Sequence, residues 1–81
     1  MTTTEKVAEL ILKAKKGKLA KEEVTAEAVL RDDLKFDSLG MTELLVLTED
    51  CFKLQFSIKE ALSVKTVGEM VALIDARLAA A

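Results

Sequence analysis

The run Leu34-Lys35-Phe36-Asp37-Ser38-Leu39-Gly40-Met41-Thr42-Glu43-Leu44 decides how the rest of this 81-residue chain is read. Asp and Ser favour the helix N-cap, where a side-chain oxygen accepts from a first-turn N–H, and the Asp charge suits the positive end of the helix dipole. A helix is therefore predicted to open at Asp37 or Ser38 and to run to about Lys53 or Leu54. Wound at about 100° per residue, Met41, Leu44, Leu45, Thr48 and Phe52 gather on one side as a core face. Leu39, Thr42, Val46 and Lys53 gather on the other, flanked by Glu43, Glu49 and Asp50. Apolar residues between carboxylates read either as an ordinary solvated face or as a small docking surface. Cys51 falls at the margin of the core face and is expected to be a small buried hydrophobe, not a reactive thiol.

Upstream, Val7, Leu10, Ile11 and Ala14 fall at i, i+3, i+4 and i+7, one apolar stripe of a helix from about residue 4 to 16. Thr2 and Glu5 fit a capping box, Lys13, Lys15 and Lys16 suit the negative end of the helix, and Gly17 is read as its stop. A connection follows from residue 18 to about 36, too long for an idle turn. Leu19, Val24, Val29, Leu30, Leu34 and Phe36 are placed to pin it to the bundle, and residues 22–30 have room for a helical turn or two. Downstream, Ser57-Ile58-Lys59-Glu60 is a capping box opening a short helix. Thr66 and Glu69 repeat the device for a last helix with Val67, Met70, Val71, Ile74 and Leu78 on its stripe, while residues 79–81 are expected to fray. The fold class predicted is all-α: a small four-helix bundle of three main helices and a short third, with a long loop between helices 1 and 2. Residues 1–81 form a single domain.

Composition narrows the function. The chain has no His, one Cys, and neither Pro, Trp nor Tyr. Without His there is no Ser-His or Cys-His nucleophile pair and no His-ligated zinc site, and one Cys makes no internal disulfide. A domain this small has a thin core and little room for a deep substrate pocket. A self-sufficient enzyme is therefore disfavoured. The start MTTTEKVAEL lacks the pattern of a secretory signal, so a cytoplasmic location is expected. The formal net charge of −2 argues against a general nucleic-acid binder. That total hides an uneven distribution: residues 1–31 carry net +2, residues 32–50 net −5 and residues 51–81 net +1. The acidic block covers the Ser38 helix and would steer basic partners.

Ser38 is either an ordinary helix-start residue or a hydroxyl presented for modification. A phosphate ester there would lie near free first-turn N–H groups, although Asp37 and its neighbours oppose the charge. No imidazole activates Ser38, so any reaction on it is the work of another protein.

The run from Leu34 to Leu44, with its Asp37-Ser38-Leu39 core, resembles the signature of the acyl carrier proteins. The similarity extends over nearly the whole chain, from the first amphipathic helix and long loop to the Thr66-Val67-Gly68-Glu69 opening of the last helix. The resemblance implies that Ser38 receives a 4'-phosphopantetheine arm from coenzyme A, transferred by a separate, magnesium-using phosphopantetheinyl transferase. The arm's thiol would hold acyl groups as thioesters and shuttle them between enzymes of fatty-acid, polyketide or specialised lipid synthesis. Asp37 and Leu39 would take part in transferase recognition. Leu39, Thr42, Glu43, Val46, Glu49 and Asp50 would dock monomeric carrier onto basic patches of pathway enzymes, and the core side of the helix would help sheath a short acyl chain. Gly40 and Cys51 stand where fatty-acid carriers often have acidic residues, and the front of the chain is rich in lysine, so a specialised carrier is as well supported as a fatty-acid one. A peptidyl or aminoacyl carrier and an unmodified adaptor docking through Leu39 and Val46 are the alternatives.

Overall fold

The computed structural model describes residues 2–80. Four α-helices follow one another: α1 (Thr3–Ala14), α2 (Ser38–Phe52), α3 (Ile58–Ser63) and α4 (Val67–Ala80). The α1–α2 connection contains one 3₁₀ turn (Lys21–Glu23), and the rest of residues 22–30 is turn and irregular chain with one bridge residue, Val29. The only β feature among the described residues is an isolated bridge between Val29 and Thr66.

Each predicted capping box forms. Glu5 N–H donates to Thr2 Oγ1 and Thr2 N–H to Glu5 Oε1, both at 3.1 Å. Ser57 and Glu60 exchange bonds of 2.9 and 3.0 Å at the start of α3. Glu69 N–H reaches Thr66 Oγ1 at 3.1 Å, while Glu69 Oε1 accepts from the N–H groups of Lys65 and Thr66 at 2.8 and 3.0 Å. Backbone N–H donors hold Glu5 (first that of Thr2) and Glu69 (first that of Lys65) below the ordinary carboxylate value of 4.5.

α1 stops at Ala14, two residues before the predicted end. Lys16 N–H bonds Lys13 O at 3.1 Å and Gly17 N–H bonds Leu12 O at 3.4 Å, the pairing of a Schellman turn. Lys16 (φ 53°), not Gly17, takes the left-handed position of that turn, and Gly17 (φ 80°) continues it. Lys53 (φ 57°) ends α2 in the same left-handed region.

α1 packs on α2 and α4, and α3 packs on α2. Val7, Ile11, Leu30, Leu34, Leu44, Val67 and Ile74 are essentially sealed from solvent and form the centre of the core. The connection is fastened to the front of α4 by backbone bonds: Leu30 N–H to Lys65 O (2.8 Å), Val67 N–H to Ala28 O (3.1 Å) and Gly68 N–H to Ala26 O (2.9 Å). A Cβ on Gly68 would lie 3.0 Å from Ala26 O, so a side chain there would need the Ala26 carbonyl to give way by a few tenths of an ångström. Leu30, Leu34 and Phe36 are buried and Leu19, Val24 and Val29 half-buried, as the pinning role requires.

Two expectations for α4 are corrected. Its helix extends through Ala79 and Ala80, where loss of helix was expected, and Ala81 lies outside the described residues. Leu78, assigned to the apolar stripe, is 41% exposed. Thr3 Oγ1 donates to Asp75 Oδ1 at 2.6 Å, which sets the start of α1 beside residue 75, so Leu78 runs past the end of its partner helix.

Candidate functional site: the start of α2

Asp37 is the N-cap of α2 and Ser38 its first helical residue. Asp37 Oδ1 accepts from Gly40 N–H at 2.7 Å, and Met41 N–H closes the first helical turn onto Asp37 O at 2.8 Å. The N–H groups of Ser38 and Leu39 have no intrahelical acceptor by position. Asp37, Ser38 and Leu39 are all exposed, Leu39 at 68%. The hydroxyl of Ser38 is thus displayed at the positive end of a 15-residue helix, beside one fixed carboxylate.

The approach to this corner is held from below. Phe36 is buried, and its N–H donates to Leu30 O at 2.9 Å. Lys35 adopts φ 60°, and its carbonyl accepts from Lys15 Nζ at 2.7 Å. The same ammonium lies 4.5 Å from the centroid of the Phe36 ring, a cation–π distance. Lys15 therefore ties the end of α1 to the residue pair that precedes Asp37. Gly40 belongs to the same packing: a Cβ there would come within 3.1 Å of Phe36 Cδ1 and 3.2 Å of Asp37 Oδ1. A side chain at this position would press the ring and the capping carboxylate aside by a few tenths of an ångström.

The outward face of α2 is arranged largely as its period predicts. Leu39, Thr42, Glu43, Val46 and Asp50 are exposed, Val46 at 57%. Asp50 lies 3.8 Å from Lys53 Nζ in a fully hydrated pair. Glu49 departs from the expected flank: it is half-buried, and its Oε2 accepts from Phe56 N–H at 2.8 Å, which commits the carboxylate to the α2–α3 turn. Lys13 and Lys16 of the α1 end line a shallow groove with Glu43, Val46 and Leu47, so the acidic face is bordered by ammonium groups. Cys51 is exposed, not buried as expected. Its position was marginal, and the neighbouring core places go to Thr48 and the half-buried Phe52.

On the inner side, α2, α3 and α4 line a small, partly open cleft of about 30 Å³. Its walls include Met41, Leu44 and Thr48 of α2, Phe56 of the α2–α3 turn, Ala61 of α3 and Ile74 of α4. Thr48 is 2% exposed and donates its hydroxyl proton to Leu44 O at 2.8 Å. Arg77 closes the α3 side: Nη1 donates to Gln55 O at 2.8 Å, Nη2 pairs with Glu60 Oε2, and the guanidinium stands 5.2 Å from the Phe56 ring. Sequence reasoning did not find Lys15 or Arg77 in these roles. Both act on partners at least 17 residues away, for which local period and capping give no signal.

Residues 5–74 match the family described as "Phosphopantetheine attachment site". An acyl carrier protein of Exiguobacterium sp. is 36% identical over 78 residues, covering 94% of this chain and 99% of that protein. One from Amoebophilus asiaticus is 41% identical over 61 residues, covering 75% and 76%. A meromycolate extension acyl carrier protein of Mycobacterium tuberculosis is 40% identical over 53 residues, 65% of this chain and 46% of that one. Among solved structures, a Mycobacterium tuberculosis protein assigned as an acyl carrier protein superposes with a TM-score of 0.82 at 31% identity, covering 93% of this chain and 97% of the other.

Proposed function

The chain belongs to the acyl carrier protein family, and from that premise we propose that Ser38 is the residue to which its phosphopantetheine arm is attached. The family places this protein among carriers, not catalysts, with a phosphopantetheine attachment domain and pathway enzymes as its partners. No helix among the described residues is long and apolar enough to cross a membrane. The observation that carries the assignment to Ser38 is its position: an exposed hydroxyl in the first turn of α2, directly after the capped Asp37. A phosphodiester formed on that oxygen would stand at the positive end of the helix, where the N–H groups of Ser38 and Leu39 are free to meet an anion. When bound, the arm supplies the thiol that holds acyl groups as thioesters.

Asp37 and Leu39 then flank the attachment point and form the part of the surface a phosphopantetheinyl transferase reads. Leu39, Thr42, Glu43, Val46 and Asp50 form the docking face for pathway enzymes, an apolar stripe inside a carboxylate rim that suits a basic, partly apolar patch. Glu49 contributes to the same face through the turn it holds in place, with one oxygen engaged by Phe56 N–H. The cleft under α2 is the place where a short acyl chain would be sheathed, and its mostly apolar lining supports that reading. Loading by a cytoplasmic enzyme set for fatty-acid, polyketide or specialised lipid synthesis fits this chemistry.

Co-expression with a broad-specificity transferase is expected to add the mass of one phosphopantetheine group. Ser38→Ala should stay helical, because the cap is on Asp37, and should take up none. Addition of the arm to Ser38→Ala, or an unmodified wild type under several transferases, would remove the basis of the assignment.

A further inference from the structure

The approach to Ser38 passes through one backbone position that a lysine does not favour. Lys35 takes φ 60°, in the left-handed region where a Cβ crowds the carbonyl oxygen that follows it. A residue stays there only where its surroundings over-determine it. The peptide between Lys35 and Phe36 is held at both ends: its N–H donates to Leu30 O at 2.9 Å, and its carbonyl accepts from Lys15 Nζ at 2.7 Å. The same ammonium stands 4.5 Å from the centroid of the Phe36 ring. We infer that Lys15 is a positioning residue for the modification of Ser38, acting through the left-handed backbone of Lys35. The inference rests on the attachment reading above and names a residue on which the rate of attachment depends.

Lys15 reaches this pair from a fixed root. It is the C-cap of α1, its N–H bonded to Ile11 O at 3.0 Å, and Ile11 is sealed in the core. The ammonium meets two partners of negative charge, a carbonyl oxygen and a ring face, and both belong to the residue pair it holds. On the far side, the Phe36 ring lies against the first turn of α2. It is 2% exposed, and a Cβ on Gly40 would come within 3.1 Å of its Cδ1. A shift of Lys35 and Phe36 is therefore passed to the turn that displays Ser38. Attachment is sensitive to that turn. The Ser38 oxygen forms a bond to the phosphorus of the phosphopantetheine half of coenzyme A. The P–O bond to the adenosine 3',5'-bisphosphate half breaks, and the hydroxyl proton passes to a base of the transferase. Such an attack needs the oxygen held close to its reacting position, and small misplacements are costly in rate.

The test follows loading of the full chain by a broad-specificity transferase with coenzyme A and extracts kcat and the KM for the carrier. Lys15→Met keeps the aliphatic stem and loses the charge. Its kcat should fall about tenfold, the lower end of what a hydrogen bond from a charged donor is worth. A role in stability alone would remove folded carrier, raising the apparent KM and leaving kcat as it was. Lys15→Arg keeps a cation for the carbonyl and the ring and should retain kcat. Glycine adopts positive φ without strain, so Lys35→Gly should make the lysine dispensable: adding Lys15→Met to it should change kcat by no more than about twofold. The Phe36 amide should exchange faster in Lys15→Met and regain its protection in the double variant, which ties the kinetics to the backbone. Equal kcat for wild type and Lys15→Met would overturn the inference. So would a loss of kcat that persists in the Lys35→Gly background, because Lys15 would then be a contact of the transferase itself. Failure of the wild type to load is a separate result, which refutes the attachment reading on which this one stands.

Discussion

Asp37 gives the sharpest separation between what the helix needs and what a modifying enzyme reads. Its carboxylate accepts from Gly40 N–H at 2.7 Å and is the side-chain cap of α2. Replacing it by Ala removes that acceptor, which costs about 1 kcal/mol at an N-cap. For a domain of this size that is a fall in Tm of about 4–8 °C. Asn caps as well as Asp, so Asp37→Asn keeps the hydrogen bond and forfeits only the charge at the helix end, about 0.3–1 kcal/mol. Thermal unfolding followed by circular dichroism at neutral pH should rank wild type, Asp37→Asn and Asp37→Ala in that order. Loading by a transferase, followed by intact mass over time, should rank them differently. If the enzyme reads the carboxylate, Asp37→Asn is already slowed about tenfold, the scale of one charge-assisted hydrogen bond, although its helix is sound. An Asp37→Ala protein that melts with the wild type would refute the capping argument. An Asp37→Asn protein that loads at the wild-type rate would refute recognition of the charge and leave Asp37 a cap.

Three further outcomes follow from the geometry. Arg77→Met removes the bonds to Gln55 O and Glu60 and the stacking on Phe56; with both partners partly hydrated this should cost about 1–2 kcal/mol and raise amide exchange in α3 before α1. Glu69 has a folded-state pKa below its unfolded value, so the stability it adds is present above the ordinary carboxylate range and is lost as the pH falls through the lowered value; Glu69→Gln retains the cap acceptor and should flatten the acid limb of a stability–pH profile. On the outward face, Glu43→Lys should weaken binding to a basic pathway enzyme and reduce its salt dependence, whereas Val46→Lys should weaken it at every ionic strength; equal salt slopes for wild type and Glu43→Lys would assign the interface to apolar contact alone.

The helices were legible in the sequence because their signals are local. The three capping boxes, the Asp37 cap and the stripes of α1 and α2 depend on residues no more than a few places apart, and each forms as read. The exposed face of α2 followed from the same 3.6-residue period. Cys51 was misplaced because period alone does not resolve a residue at the edge of a face. Leu78 was misplaced because the length of the neighbouring helix, set by the Thr3–Asp75 contact, decides where a stripe stops being covered. Glu49 turned inward to satisfy Phe56 N–H, a demand created by the α2–α3 turn and invisible from the helix. The long connection was recognised as packed from its apolar residues, but its attachment to α4 uses backbone N–H and C=O groups, which every sequence has.

The two sides of the bundle are held by different means, and that difference bears on how a carrier exposes and hides its cargo. The connection before Ser38 is bound to α4 by three backbone bonds, to the bundle by Leu30, Leu34 and Phe36, and to α1 by Lys15. Those contacts hold the start of α2 in place. α3 has no buried residue of its own, and it exposes Ile58 at 73% and Leu62 at 61%. Among the described residues its side-chain polar tie to α4 is the carboxylate of Glu60, which caps α3 with one oxygen and pairs with Arg77 through the other. Local opening starts where few apolar contacts and few protected bonds must be broken. Opening of the cleft is therefore expected first on the α3 side, where Phe56 and Ala61 form its wall, and amide exchange that is faster in α3 than in α1 would report it. With the arm on Ser38, as proposed, a chain would enter or leave the cleft past α3 without disturbing the outward face of α2.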